Sequence, residues 1–344
     1  MTDRRVAVIT GPSAGVGRAT AKIFAEHGFD VALLARGQAG LEAAADDVAA
    51  AGGRPLLIPT DVSQFERVDT AATRVEEELG PIDVWVNDAM TTVFAPIWET
   101  EPADFGRAVE VTFLGQVWGT MAALARMRPR DKGNIVNVGS ALAFVGIPLQ
   151  AAYCSSKFAC RGFFESTRAE LLHEKSHVRM SMVHLPAVNT PQFDWCATTL
   201  NRHPQPVAPI YQPEVPAKYI LQAALDGRRS KTLGSWNKML VFVDSFFPGF
   251  GNQYAALGAW NGQLMDQPLE IDRPSNLYEP ADSKRDFGAH GIFDDRAGGF
   301  MDPSFLKTLP STAAIFVKAL GRTASEKRQL MSTKRRDRAT SGPR

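Results

Sequence analysis

Tyr153 and Lys157 stand four residues apart, with Ser140 thirteen residues upstream of the tyrosine. On a helix, a spacing of four puts two side chains on one face, so an ammonium would flank a phenol. A free phenol ionises near about pKa 10 and is too weak a base at neutral pH. A neighbouring cation favours the phenolate and brings it closer to use. Such a phenol can protonate an oxygen that is gaining negative charge, or take a proton from a hydroxyl. Ser140 can hydrogen-bond the same oxygen and align it. The chemistry this set suits is the interconversion of a carbonyl and an alcohol.

A second constellation opens the chain: Thr10-Gly11-Pro12-Ser13-Ala14-Gly15-Val16-Gly17, between an apolar run from Arg5 and a helical stretch through Ala19. Glycines at such a junction let backbone approach a pyrophosphate, whose charge is met by free N–H groups and the helix dipole. The Gly-xxx-Gly-x-Gly spacing departs from the commoner dinucleotide fingerprint, and alone it would pass for a glycine turn. Followed by the serine, tyrosine and lysine, it points to hydride transfer between a nicotinamide cofactor and an alcohol or ketone. The second apolar run ends at Ala35-Arg36. A carboxylate there would accept from a free ribose 2′-hydroxyl; the sequence offers none, and Arg36 could fork onto a 2′-phosphate. NADP(H) is therefore expected over NAD(H).

These groups need elements to hold them. Apolar runs begin at Arg5, Asp30, Leu56, Asp83, Gly133 and Val178, with helical stretches near 40–51, 64–79, 103–128 and 151–174 between them. The runs are continuous rather than alternating, as expected of strands covered on both faces. The fold class predicted is α/β, a doubly wound parallel sheet over residues 1–235, with ligand at the carboxyl ends of the strands. Residues 236–321 read as an irregular C-terminal extension. Within it, Trp236–Leu264 is aromatic- and glycine-rich, and Asp244, Pro248, Gly249 and Gly251 argue against a spanning helix. That stretch is expected on the substrate side, in a subunit contact or, less readily, at a membrane surface. Residues 266–303 lack a period, and 308–320 read as one short amphipathic helix.

Composition narrows the class. The 344 residues are 44% hydrophobic and 22% charged, enough for a substantial core, and a net charge of +1 favours neither nucleic acid nor membrane. The charge is uneven: residues 322–344 carry eight Lys/Arg against two Asp/Glu, which reads as a solvated, disordered basic tail. The opening apolar run is too short for a secretory signal core. Three cysteines (Cys154, Cys160 and Cys196) form no paired framework and suit a reducing compartment, so a cytoplasmic location is expected. His173-Glu-Lys-Ser-His177 matches the pattern of zinc hydrolases. The helix is expected to end before Val178, however, so the match is read as coincidence and no metal is expected.

Thr10-Gly-xxx-Gly-x-Gly, Asp61-Val62, Asn87-Asp88-Ala89, Ser140 and Tyr153-Cys-Ser-Ser-Lys157 fall in an order and spacing that resemble the short-chain dehydrogenase/reductase family. The likeness is to its compact single-domain Rossmann branch and covers about residues 5–235. It implies a catalytic Ser140, Tyr153 and Lys157, with Lys157 also holding the nicotinamide ribose. Gly11, Ser13, Gly15, Val16 and Gly17 would cradle the pyrophosphate, and Asp61 and Val62 the adenine. Asn87 and Ala89 would border the cofactor, with Val188 and Thr190, after Pro186, beside the carboxamide. Relatives commonly pair through the helices near 103–128 and 151–174, so a homodimer or homotetramer is implied.

Three positions depart from the family pattern. Thr112 replaces an asparagine that supports a proton-relay water, and is expected to hold that water less well. Met90 and Ala187 replace glycines and would narrow the nicotinamide region. Ala141, Leu142, Phe144, Ile147, Pro148, Phe193 and Trp195 are expected around the reacting carbon, which suggests a hydrophobic ketone or secondary alcohol, lipid-like or polycyclic. The alternative class is a nucleotide-binding scaffold with little turnover; an intact Ser140, Tyr153 and Lys157 argues against it.

Overall fold

The computed structural model describes residues 4–234, 249–270, 273–298 and 313–325, with a few isolated positions besides. Its centre is a seven-stranded sheet: β1 (Arg5–Thr10), β2 (Phe29–Ala35), β3 (Pro55–Pro59), β4 (Ile82–Asn87), β5 (Asn134–Ser140), β6 (Arg179–Leu185) and β7 (Ser230–Thr232). The order is β7-β6-β5-β4-β1-β2-β3, with every neighbouring pair parallel. The chain winds outward from β1 in one direction and from β4 in the other. A crevice therefore opens at the carboxyl ends of β1 and β4, where this architecture takes its ligands.

Six helices cover the two faces: α1 (Gly15–Glu26), α2 (Gln38–Ala50), α3 (Phe65–Glu78), α4 (Pro102–Arg130), α5 (Ala151–His173) and α6 (Glu214–Asp226). Side chains along β1 alternate between two cores. Ala7 and Ile9 join Phe24 of α1, Leu41 of α2 and Ile220 of α6, whereas Val6 and Val8 join Val75 of α3, Met127 of α4 and Phe164 of α5. Both sets of alternate positions need apolar residues, which is why the strands read as unbroken runs. By length and composition α4 could cross a membrane, but half of its most apolar window is buried here, with Val111, Ala122, Ala123 and Met127 in the core.

The six expected strands are present, along with α6 and β7, which the sequence reading left out. β7 is three residues, Ser-Lys-Thr, on the outer edge of the sheet, too short and polar to leave a pattern. Residues 313–325 are helical, beyond the end expected at 320; residues 301–310 and most of the basic tail lie outside the described residues.

Backbone crossing at the first turn explains one glycine. A Cβ at Gly17 would stand 2.1 Å from the Gly11 carbonyl oxygen, an atom the loop cannot displace without reshaping itself. Gly17→Ala is expected to cost about 1–3 kcal/mol through this overlap, read as a fall in the denaturation midpoint with an unchanged slope.

Candidate active site

α1 begins at Gly15 after Ala14, whose side chain cannot cap it. The first N–H groups therefore point out of the helix without a side-chain acceptor; that of Gly15 donates to the Gly288 carbonyl of the extension at 3.1 Å. A Cβ on Gly11 would fall 2.8 Å from the Ala89 Cα, and one on Gly15 3.1 Å from Thr190. The loop is thus pressed against the ends of β4 and β6, and only glycine fits. Gly11 and Gly15 both adopt left-handed backbone angles, φ 73° and 57°.

A cavity of about 360 Å³ runs along the strand ends, within the size range of small-molecule sites. Gly11, Ser13, Gly15, Val16, Arg36, Asp61, Val62, Ala89, Val188 and Thr190 line it, as do Ser140, Tyr153 and Lys157. Gly17 and Asn87 do not. Gly17 serves the crossing described above. The Asn87 amide lies under the floor, accepting from Trp85 Nε1 at 2.8 Å and donating to Asn137 at 2.8 Å and Thr120 at 3.1 Å. It binds β4 to β5 and α4, and the expectation that it borders a cofactor is corrected.

At one end of the cavity stand the three chemical groups. Lys157 is 3% exposed, and its Nζ donates to the Val138 carbonyl at 2.8 Å. That ammonium lies 5.5 Å from the centre of the Tyr153 ring, and the Ser140 hydroxyl accepts from the Leu142 N–H at 3.1 Å. Burial pushes the Tyr153 phenol above its ordinary 10, while Lys157 and Ser140 pull it down. Beneath them, the Nδ1 of buried His184 donates to the Ser140 carbonyl at 3.3 Å, and burial drops this imidazole to about 4, so it is neutral.

Thr112 is elsewhere than expected. Residues Glu110–Leu114 form a π turn within α4, and the Thr112 hydroxyl donates to the Thr91 carbonyl at 2.7 Å while accepting from the Thr91 N–H at 3.0 Å. Its donor and one of its two acceptor sites are spent on backbone, and the residue is absent from the cavity wall. Its side chain fixes the loop after β4 rather than holding a relay water. The substituted Met90 and Ala187 do line the cavity. Of the apolar residues expected around the reacting carbon, Ala141, Leu142, Ile147, Phe193 and Trp195 are on the wall. Phe144 instead packs on His184 at 4.7 Å, and Pro148 uses its carbonyl to accept from Gln263.

The opposite end is closed in part by Asn276, Pro280, Ala281 and Asp282 of the extension, a stretch that reads as irregular in the sequence, where 236–264 is the part expected on the substrate side. Arg36 Nη1 donates to the Tyr278 carbonyl at 2.6 Å, and Nη2 to that of Asn276. Asp61 is held by Arg107 at 2.6 Å and by Ser63 at 2.8 Å; burial pushes its carboxyl up, but these bonds outweigh it and hold the group below the usual range. Asp282 comes to the first turn of α2. The sequence expectation of a ribose end without a carboxylate and with a free arginine is therefore corrected on both counts. At the reacting end, Tyr254, Ala255, Ala259 and Gln263 complete the wall. The His173 and His177 pair is not a metal motif: α5 ends at His173, and His177 Nδ1 pairs with Asp131 at 2.6 Å.

With α1 uncapped and glycine cradles that any side chain would fill, the residues fit a dinucleotide. The chain matches the short chain dehydrogenase family model over residues 5–198 and belongs to that family, an NAD(P)-dependent dehydrogenase or reductase. It is similar, at 31% identity over 288 residues (83% of this chain and 81% of the other), to the uncharacterized oxidoreductase YxnA of Bacillus subtilis. It is 30% identical over 241 residues, 68% of this chain and 72% of the other, to the 3-dehydrosphinganine reductase of Danio rerio. Among solved structures, a short chain dehydrogenase/reductase from Burkholderia phymatum in complex with NAD has the same fold. It aligns with TM-score 0.65 and 22% identity over 71% of this chain and 94% of its own.

Asp88, within the Asn87-Asp88-Ala89 motif, is given no role of its own by the sequence. It lines the cavity at the tip of β4, and burial raises its carboxyl to about 7, with Lys157 opposing. Because the folded value lies above the ordinary one, the stabilisation is present at acid pH and fades as pH rises through 7. Asp88→Asn, a permanent neutral mimic, is expected to gain on wild type progressively from about pH 4 to pH 7, its stability advantage growing by about 1–3 kcal/mol between pH 5 and pH 8. Denaturant titrations at the two pH values check this.

Proposed function

We propose that this chain moves a hydride between a nicotinamide dinucleotide and an apolar ketone or secondary alcohol, with Tyr153 as general acid and base. The observation that carries the reading is the convergence of Ser140, Tyr153 and Lys157 at one end of a cavity whose middle is the glycine-rich loop. A bound nicotinamide would supply or receive the hydride. The remaining work falls to side chains. The Ser140 and Tyr153 hydroxyls, both on the cavity wall, present two donors to a substrate oxygen entering beside them. In reduction the Tyr153 hydroxyl gives its proton to that oxygen as negative charge builds there; in oxidation the phenolate takes the proton away. Lys157 favours the phenolate in either direction.

Tyr153 sits above its ordinary value in the free protein, so the proton-donating form dominates at neutrality. Reduction is accordingly expected to lose rate as pH climbs through the phenol's ionisation, and oxidation to gain. Tyr153→Phe is expected to lower kcat/KM by about 10²–10⁴-fold with dinucleotide affinity changed only a few-fold; equal turnover by both proteins would remove Tyr153 from the mechanism.

The substrate class follows from the wall. Leu142, Val145, Ile147, Phe193 and Trp195, with Ala255 and Ala259 of the extension, surround the approach to Tyr153. Of the amides on this wall, Gln150 and Gln263 bond each other at 2.6 Å and Gln205 donates to the Gly262 and Leu264 carbonyls, leaving Gln192 as the one amide facing it whose side chain has no hydrogen-bond partner among the described residues. A relative named for reducing 3-dehydrosphinganine supports a keto substrate. A panel of carbonyl compounds is expected to show kcat/KM rising with apolar chain or ring size; preference for small charged ketones contradicts the reading.

A further inference from the structure

We propose that Asp282, delivered by the C-terminal extension, accepts the adenosine ribose hydroxyls and makes the site select NAD(H) over NADP(H), a proposal that rests on the dinucleotide reading above. A carboxylate beyond the second strand is the usual device for this choice, since it bonds a free 2′-hydroxyl and repels a phosphate. β2 ends at Ala35, and neither its last residues nor the Arg36-Gly37 that follows carries one. Asp282 arrives at the same place from the other end of the chain. Its Oδ1 lies 1.8 Å from where a Gly37 Cβ would be, and its Oδ2 2.3 Å from where a Gly40 Cβ would be. The two glycines around the start of α2 leave the gap the carboxylate fills, and Ser13 of the glycine-rich loop borders the same gap.

The segment is held in place: Gly40 N donates to the Asp282 carbonyl at 3.2 Å, and Asp286 pairs with Arg18 at 3.1 Å. Asp282 is 6% exposed, lines the cavity, and its Oδ2 has no hydrogen-bond partner among the described residues. A buried carboxylate oxygen without a donor is costly, and a ribose hydroxyl is the donor it lacks. A 2′-phosphate would instead bring negative charge against it. Three arginines at this end are committed: Arg36 to the Asn276 and Tyr278 carbonyls, Arg107 to Asp61, and Arg18 to Asp47 and Asp286; Lys284 and Arg285, on the same segment, are exposed to solvent.

The test is equilibrium titration of the full-length protein with NADH and NADPH separately, followed by intrinsic fluorescence, for wild type and Asp282→Asn. Wild type is expected to bind NADH at least about tenfold more tightly, a difference of about 1.4 kcal/mol. The isosteric amide is expected to bring the NADPH-to-NADH ratio of dissociation constants close to one, mainly by tightening NADPH. Tighter NADPH binding by wild type overturns the proposal without recourse to any variant, as does an unchanged ratio in a folded Asp282→Asn. Failure of folded wild type to bind either dinucleotide overturns the dehydrogenase reading, and this proposal with it.

Discussion

The ammonium of Lys157 is almost wholly withdrawn from water, and a charge so placed is tolerated only where nearby groups offset the lost solvation. The Val138 carbonyl does so at 2.8 Å, and that bond fixes more than the lysine. Val138 and Ser140 are two apart on β5 and project to the same side of the strand. Tyr153 lies one turn before Lys157 on α5. A single tie between strand end and helix therefore sets the distance between serine, phenol and ammonium. Asp88 stands within electrostatic reach of the same ammonium. Were it ionised, it would compete for that charge; burial keeps it a neutral acid below about pH 7, which leaves the field of Lys157 acting on the phenol.

Closure of the cavity depends on a different device. The stretch from 273 to 298 has almost no regular structure, so its backbone carbonyls need donors from elsewhere. Arginines supply several. Arg36 serves Asn276 and Tyr278, Arg107 serves Leu277, and the extension's own Arg273 reaches back to the carbonyls of Phe193, Asp194 and Cys196. Leu277 packs with Val93, Ala95, Ala108 and Ala152, and Phe293 with Phe94 and Phe193. The extension is thus embedded in the cores that support the substrate side, and it contributes wall at both ends of one cavity.

The parts of the molecule legible in the sequence were those whose signal is local. Five of the sheet's strands are apolar runs of five to seven residues that announce themselves, and the four-residue spacing of Tyr153 and Lys157 suffices to place them on one helical face. α6 was legible and passed over: Ala217, Ile220, Leu221 and Ala224 repeat at helical spacing and Gly227 closes it with φ 62°. β7 was not, because three polar residues at an edge carry no period. Asn87 and Thr112 were misplaced for a common reason. Each has a polar side chain near the right strand end, and only the fold decides whether it turns to the cavity or to buried backbone. In both cases unpaired groups of β4, β5 and the Thr91 backbone claim it first.

The ribose end shows where local reading reverses sign. From β2 outward, the chain presents Arg36 and no acid, and the electrostatic inference from those residues alone is sound. It fails because a residue's charge acts through distance in space, and a segment 240 positions later along the chain brings two backbone carbonyls to the arginine and a carboxylate beside it. Carbonyl oxygens that occupy a guanidinium's fork leave its net charge in place but remove the directed N–H groups that make arginine a phosphate ligand. What remains at this end is a diffuse positive potential from Arg36, partly cancelled by Asp61 and Asp282, facing a carboxylate oxygen that lacks a donor among the described residues. On the proposal above, discrimination comes from the bond and the repulsion made at close range by one buried carboxylate, so the preference is expected to survive added salt, which screens long-range attraction but not buried, short-range contacts.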